Sequence, residues 1–90
     1  MKRYLMIASG RVQGVGFRYF ALYAAKSLNL TGTVRNQSNG NVEIFVQGNE
    51  AALDRFKSQL TKGNAFIKVE DLFSKEIPIE EKEKDFKVIY

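Results

Sequence analysis

Cysteine and histidine are both absent from this chain. Without cysteine there is no disulfide, no thiol nucleophile and no thiolate metal site, and redox arguments leave the compartment open. Without histidine, the commonest general base and the commonest metal ligand are missing. Long apolar runs are lacking too: none is long enough to cross a membrane, and Met1-Lys2-Arg3-Tyr4 does not open a signal-peptide pattern. Proline occurs once, as Pro78, and no linker, low-complexity segment or internal repeat interrupts the 90 residues. The expectation is one soluble, cytoplasmic domain with one core and no membrane partner. Its chemistry has to proceed without imidazole or thiol.

What is present is unevenly charged. Residues 1–48 hold six Lys/Arg against one Glu, whereas residues 49–90 hold eight against nine acidic residues. The net charge of +4 and a pI near 9.5 suit an anionic ligand, which composition alone leaves as either a small molecule or a nucleic acid.

Residues 3–9 alternate, with Leu5, Ile7 and Ser9 on one side and Tyr4, Met6 and Ala8 on the other, which predicts a strand. From Phe17, apolar residues at 17, 20, 21, 24 and 28 predict a helix, with Asn29 in the left-handed terminating position and Phe17, Phe20 and Tyr23 in or near the core. Two strands, residues 31–37 and 42–48, flank Ser38-Asn39-Gly40. A two-residue turn there would mix the faces. A three-residue loop with Gly40 left-handed pairs Val34 with Ile44 and Arg35 with Glu43, and gathers Val34, Val42, Ile44 and Val46 on one face with Asn36. Asn49 caps a second helix whose stripe is Leu53, Phe56 and Leu60, closed by Gly63. A fourth strand starts at Ile67 and Val69, with a bulge where the alternation slips between Glu70 and Leu72. Residues 76–85 read as a solvated charged loop, and Phe86, Val88 and Tyr90 as a short closing strand. The order β-α-β-β-α-β, with the extra C-terminal strand, predicts an α+β ferredoxin-like split βαβ fold: a two-layer sandwich of an antiparallel sheet with both helices on one face.

Between the first strand and first helix lies Gly10-Arg11-Val12-Gln13-Gly14-Val15-Gly16-Phe17-Arg18. Its glycines can take φ > 0 and leave backbone N–H groups uncovered, and consecutive N–H groups at the positive end of a helix can form an anion cradle. Arg18 adds a permanent forked cation at the rim. Neither a Walker loop nor a dinucleotide fingerprint is present. On the residues alone the stretch fits either an anion site or a structural turn.

The same stretch resembles the first signature of the acylphosphatases. Gly32-Thr33-Val34-Arg35-Asn36-Gln37-Ser38-Asn39-Gly40-Asn41-Val42, with Gly48 beyond, resembles the second. Two departures stand out: Ala8 replaces a larger branched aliphatic, and Thr33 replaces an aromatic, which is expected to thin the packing around the site. The resemblance implies hydrolysis of the carboxyl–phosphate bond of small acyl phosphates without metal or cofactor. It implies that Arg18 and the backbone of residues 13–18 bind the phosphoryl group and that Asn36 holds the attacking water. Inorganic phosphate would then be product and competitive inhibitor, and the protein a monomer. Arg11 and Arg35 are left as structural or steering charges, Arg35 paired with Glu43.

Two other readings differ in class. A nucleic-acid module on this fold needs exposed sheet aromatics in a Lys/Arg-Gly-Phe-Gly-Phe-type strand, and no strand here has that pattern. An inactive regulatory domain would keep the anion pocket without turnover.

Overall fold

Alternating residues and helical stripes give each element one apolar face, and the fold is what results from burying those faces together. The computed structural model describes residues 1–90, in the order β1 (Lys2–Arg11), α1 (Phe17–Ser27), β2 (Thr31–Asn36), β3 (Val42–Gly48), α2 (Glu50–Lys62), β4 (Lys68–Ile77) and β5 (Phe86–Val88). The sheet order is β4-β1-β3-β2-β5. Each βαβ half therefore has a strand of the other half between its own two strands, as the predicted ferredoxin-like fold requires.

The hairpin has the predicted register: Val34 faces Ile44, Arg35 faces Glu43, and Gly40 has φ 95°. Val34, Val42, Ile44 and Val46 are fully buried beneath the helices with Met6 and Ala8. In β4 the bulge falls at Glu70, because Ser9 faces Asp71 while Gly10 faces Val69. Helix α1 closes on Asn29 at φ 57°, with Leu30 N–H donating to the Ala25 carbonyl and Asn29 N–H to that of Lys26. Helix α2 is capped by Asn49, whose Oδ1 accepts from Ala52 N–H at 2.8 Å. Phe17, Phe56 and Phe86 are the largest buried side chains, each stabilising the fold by about 1.5–3 kcal/mol.

Three expectations need correction. The sheet is mixed, not wholly antiparallel: β5 lies parallel to β2, with Val34 beside Val88. Tyr23 is 68 % exposed, since it sits about 120° round the helix from the stripe's centre. Residues 76–85 are not simply solvated. Strand β4 runs on to Ile77, and the following segment crosses the sheet from the β4 edge to the β5 edge. It is tied down along the row Arg3, Gln47 and Thr31: buried Gln47 bonds both backbone groups of Glu80, and Glu83 accepts from Arg3 at 2.7 Å and Thr31 at 2.9 Å.

Candidate active site

The turn from β1 into α1 is pinned at both ends by burial, at Val12 and at Phe17. Between them Gly14 and Gly16 are exposed and left-handed, at φ 74° and 78°. A Cβ at either would meet nothing within 4 Å, so backbone conformation and not crowding calls for glycine there. Any other residue would carry roughly 1–2 kcal/mol of strain at each. The Gln13 side chain fastens the turn to the hairpin: Nε2 donates to the carbonyls of Gln37 and Asn41, both at 2.8 Å. That link sets the loop against the end of β2, where Asn36 stands.

Where the two meet is a cavity of about 160 Å³ lined by Val12, Gly14, Gly16, Phe17, Arg18, Tyr19 and Asn36. No carboxylate lines it. The backbone N–H groups of Gln13, Gly14, Val15 and Gly16 donate to no protein acceptor. The first N–H groups of α1 have no intrahelical partner, no side chain caps them, and its first turn holds no acidic residue. Unanswered donors at a helix's positive end make this a region of positive potential, and Arg18, which pairs with no carboxylate, adds a full charge. Opposite in character is Asn36 Oδ1, a buried acceptor without a hydrogen-bond partner. The arrangement combines excess donors and a cation with the polar amide of Asn36, as a phosphoryl group and a polar nucleophile would need.

Of the residues singled out in the sequence, Gly14, Gly16, Phe17, Arg18 and Asn36 share this cavity. Gln13 and Val15 do not line it; Gln13 ties the loop and Val15 packs against the core. Thr33 is also away from it, since Thr33 and Asn36 differ in strand parity and Thr33 faces Phe45 on the other side of the sheet. Thinned packing at Thr33 therefore falls on the open face of the sheet, not around the site. Two further residues at the site, Tyr19 and Tyr90, carry no functional signal in the sequence. The ring of Tyr90 lies over the Arg18 guanidinium at 4.7 Å, and its hydroxyl is 2.6 Å from that of Tyr19. That hydrogen bond raises the pKa of the Tyr19 phenol. No periodicity in the sequence links residues 71 positions apart. The largest cavity, about 650 Å³, lies elsewhere, between the end of α2 and the start of β4. It holds Arg11, Lys62 and Lys68 but no unpartnered buried polar atom, so it lacks the feature that marks the smaller one.

Residues 4–88 match the family model described as acylphosphatase. The chain belongs to the acylphosphatase family. It is 50 % identical to an acylphosphatase of Clostridium acetobutylicum over 90 residues, covering 100 % of this chain and 99 % of the relative. The crystal structure of acylphosphatase from Bacillus subtilis superposes with a TM-score of 0.94 at 41 % identity, covering 100 % of both chains. An acylphosphatase structure from Coxiella burnetii gives 0.91 at 33 %, covering 98 % of this chain and 92 % of the other. Membership makes the chain an enzyme, and acylphosphatases hydrolyse acyl phosphates.

Proposed function

We propose that Arg18 and the backbone N–H groups of the Gln13–Arg18 turn hold the phosphoryl group of a small acyl phosphate while Asn36 orients the attacking water. The water oxygen bonds to phosphorus as the bond from phosphorus to the acyl oxygen breaks, giving a carboxylate and inorganic phosphate. The leaving carboxylate has a conjugate-acid pKa of about 4–5, as for side-chain carboxyls, so it departs without protonation. A loose phosphoryl-transfer transition state asks little of a base, and positioning with charge stabilisation is what remains. Residues 1–90 lack imidazole and thiol, which that demand does not require. Asn36 can both accept from and donate to a water, and it brings no negative charge beside the phosphoryl group. The water's proton passes to a phosphate oxygen of the substrate; a proton inventory showing transfer to an enzyme side chain would contradict this step.

The observation that carries the reading is the meeting, around one cavity, of Gly14, Gly16 and the uncapped start of α1, an Arg18 paired with no carboxylate, and Asn36. One cytoplasmic, monomeric domain acting on small acyl phosphates, without cofactor and inhibited competitively by inorganic phosphate, completes the proposal. Titration of the ¹⁵N-labelled protein with inorganic phosphate tests it. Amide shifts concentrated on residues 13–19 and Asn36, saturating at the same concentration as inhibition, are expected. Shifts centred on Arg11, Lys62 and Lys68 would move the anion site to the larger cavity and refute the assignment.

A further inference from the structure

Tyr90 and Tyr19 are 86 % and 45 % exposed, so burial in the core does not explain where they sit. Their position is nonetheless defined. Strand β5 runs parallel to β2 with Val88 beside Val34, and Ile89 N–H then donates to the Val34 carbonyl at 2.9 Å. The parallel register carries Tyr90 on to the level of Asn36. There its ring covers the Arg18 guanidinium, and the hydroxyl bond to Tyr19, the residue next to Arg18, holds the ring in place. A guanidinium carries five N–H donors, and contact with one aromatic face leaves donors available for phosphate oxygens. A long side chain restrained before substrate arrives loses less freedom on binding.

We infer that Tyr90 and Tyr19 are positioning residues that fix the Arg18 guanidinium with its donor edge toward the phosphoryl cradle. This rests on the proposed role of Arg18 and extends it to the group that orients it. The ring carries most of the effect, and the paired hydroxyls trim its orientation.

Kinetics with benzoyl phosphate, phosphate affinity by amide titration and thermal melts on six proteins test the inference: wild type, Tyr90→Ala, Tyr90→Phe, Tyr19→Phe, Arg18→Ala and the double variant Tyr90→Ala/Arg18→Ala. Tyr90→Ala is expected to lower kcat/KM by about 3- to 30-fold, with weaker phosphate binding, in a protein that melts only a few degrees lower and stays folded at the assay temperature. Tyr90→Phe restores the ring and stays within about threefold of wild type, and Tyr19→Phe matches it because both remove one shared hydrogen bond. In the Arg18→Ala background, loss of Tyr90 should weaken phosphate binding no further; a purely structural residue would not show that dependence. Wild-type kinetics and phosphate affinity for Tyr90→Ala, or an equal loss with and without Arg18, would overturn the inference. Unimpaired turnover by Arg18→Ala would instead overturn the reading on which it stands.

Discussion

Replacing Asn36 by alanine separates a catalytic role from a structural one, because only a structural role predicts a large loss of stability. Asn36 Oδ1 is buried with no hydrogen-bond partner in the protein, so truncation breaks no bond to it within the fold. Alanine forfeits packing on the order of one methylene, about 0.8 kcal/mol. The net expectation is a stability within about 1 kcal/mol of wild type. With a urea m-value of about 1–3 kcal/mol/M, a change of about 1 kcal/mol moves the midpoint by roughly 0.3–1 M. Catalysis should fall much further. Losing the group that orients the nucleophile is worth about 10²-fold in kcat, while inorganic phosphate binds within about threefold of wild type, since water placement matters chiefly in the transition state. Urea unfolding, together with benzoyl phosphate kinetics in the presence of competing phosphate, reads all three quantities. A loss of more than about 2 kcal/mol in stability, or a fall in phosphate affinity matching the fall in kcat, would refute the reasoning.

Asn36→Asp keeps the shape but adds negative charge beside the phosphoryl site, so KM should rise and kcat fall together; a KM at the wild-type value would speak against phosphate binding next to Asn36. Gly16→Ala forces a residue with a Cβ to φ 78°, and about 1–2 kcal/mol of strain should lower the melting temperature by roughly 4–16 °C, with weaker phosphate binding; an unshifted melt would contradict the strain argument. Glu83→Ala removes the acceptor shared by Arg3 and Thr31 across the open sheet face, and a loss of about 2–3 kcal/mol in chemical denaturation is expected with kcat/KM within about twofold of wild type. Lost activity in a folded Glu83→Ala protein would mean that the crossing segment reaches the site.

Features set by local chemistry were legible in the sequence. Gly40 after Ser38-Asn39 defines a three-residue loop, and from it the pairing of Val34 with Ile44 follows, which in turn sets Asn36 on the helix side of the sheet. Asn29 and Asn49 end and start helices for reasons carried by their own side chains, and the slip of alternation around Glu70 is the bulge itself. What stayed hidden depends on distant partners. A three-residue strand such as β5 has too few positions to reveal which edge it joins or in which direction. The charges of residues 80–85 look solvated until Arg3 and Thr31 are known to lie beneath them. At the site, glycines, Arg18 and Asn36 stood out through turn chemistry and resemblance, and the structure places them around one cavity. Tyr90 looked like any alternating strand residue, and its stacking on Arg18 needs β5 to run parallel to β2.

The central claim is that backbone amides, one fixed cation and the water-orienting amide of Asn36 suffice to hydrolyse an already labile carboxyl–phosphate bond. Benzoyl phosphate hydrolysis by wild type and by Arg18→Ala, both shown to be folded and both assayed in excess chelator, tests it most directly. The account predicts undiminished wild-type turnover and an Arg18→Ala rate lower by about 10²-fold or more, the loss expected for a desolvated charge-assisted donor. Wild-type-like hydrolysis by folded Arg18→Ala, or a wild-type activity abolished by the chelator, would contradict it.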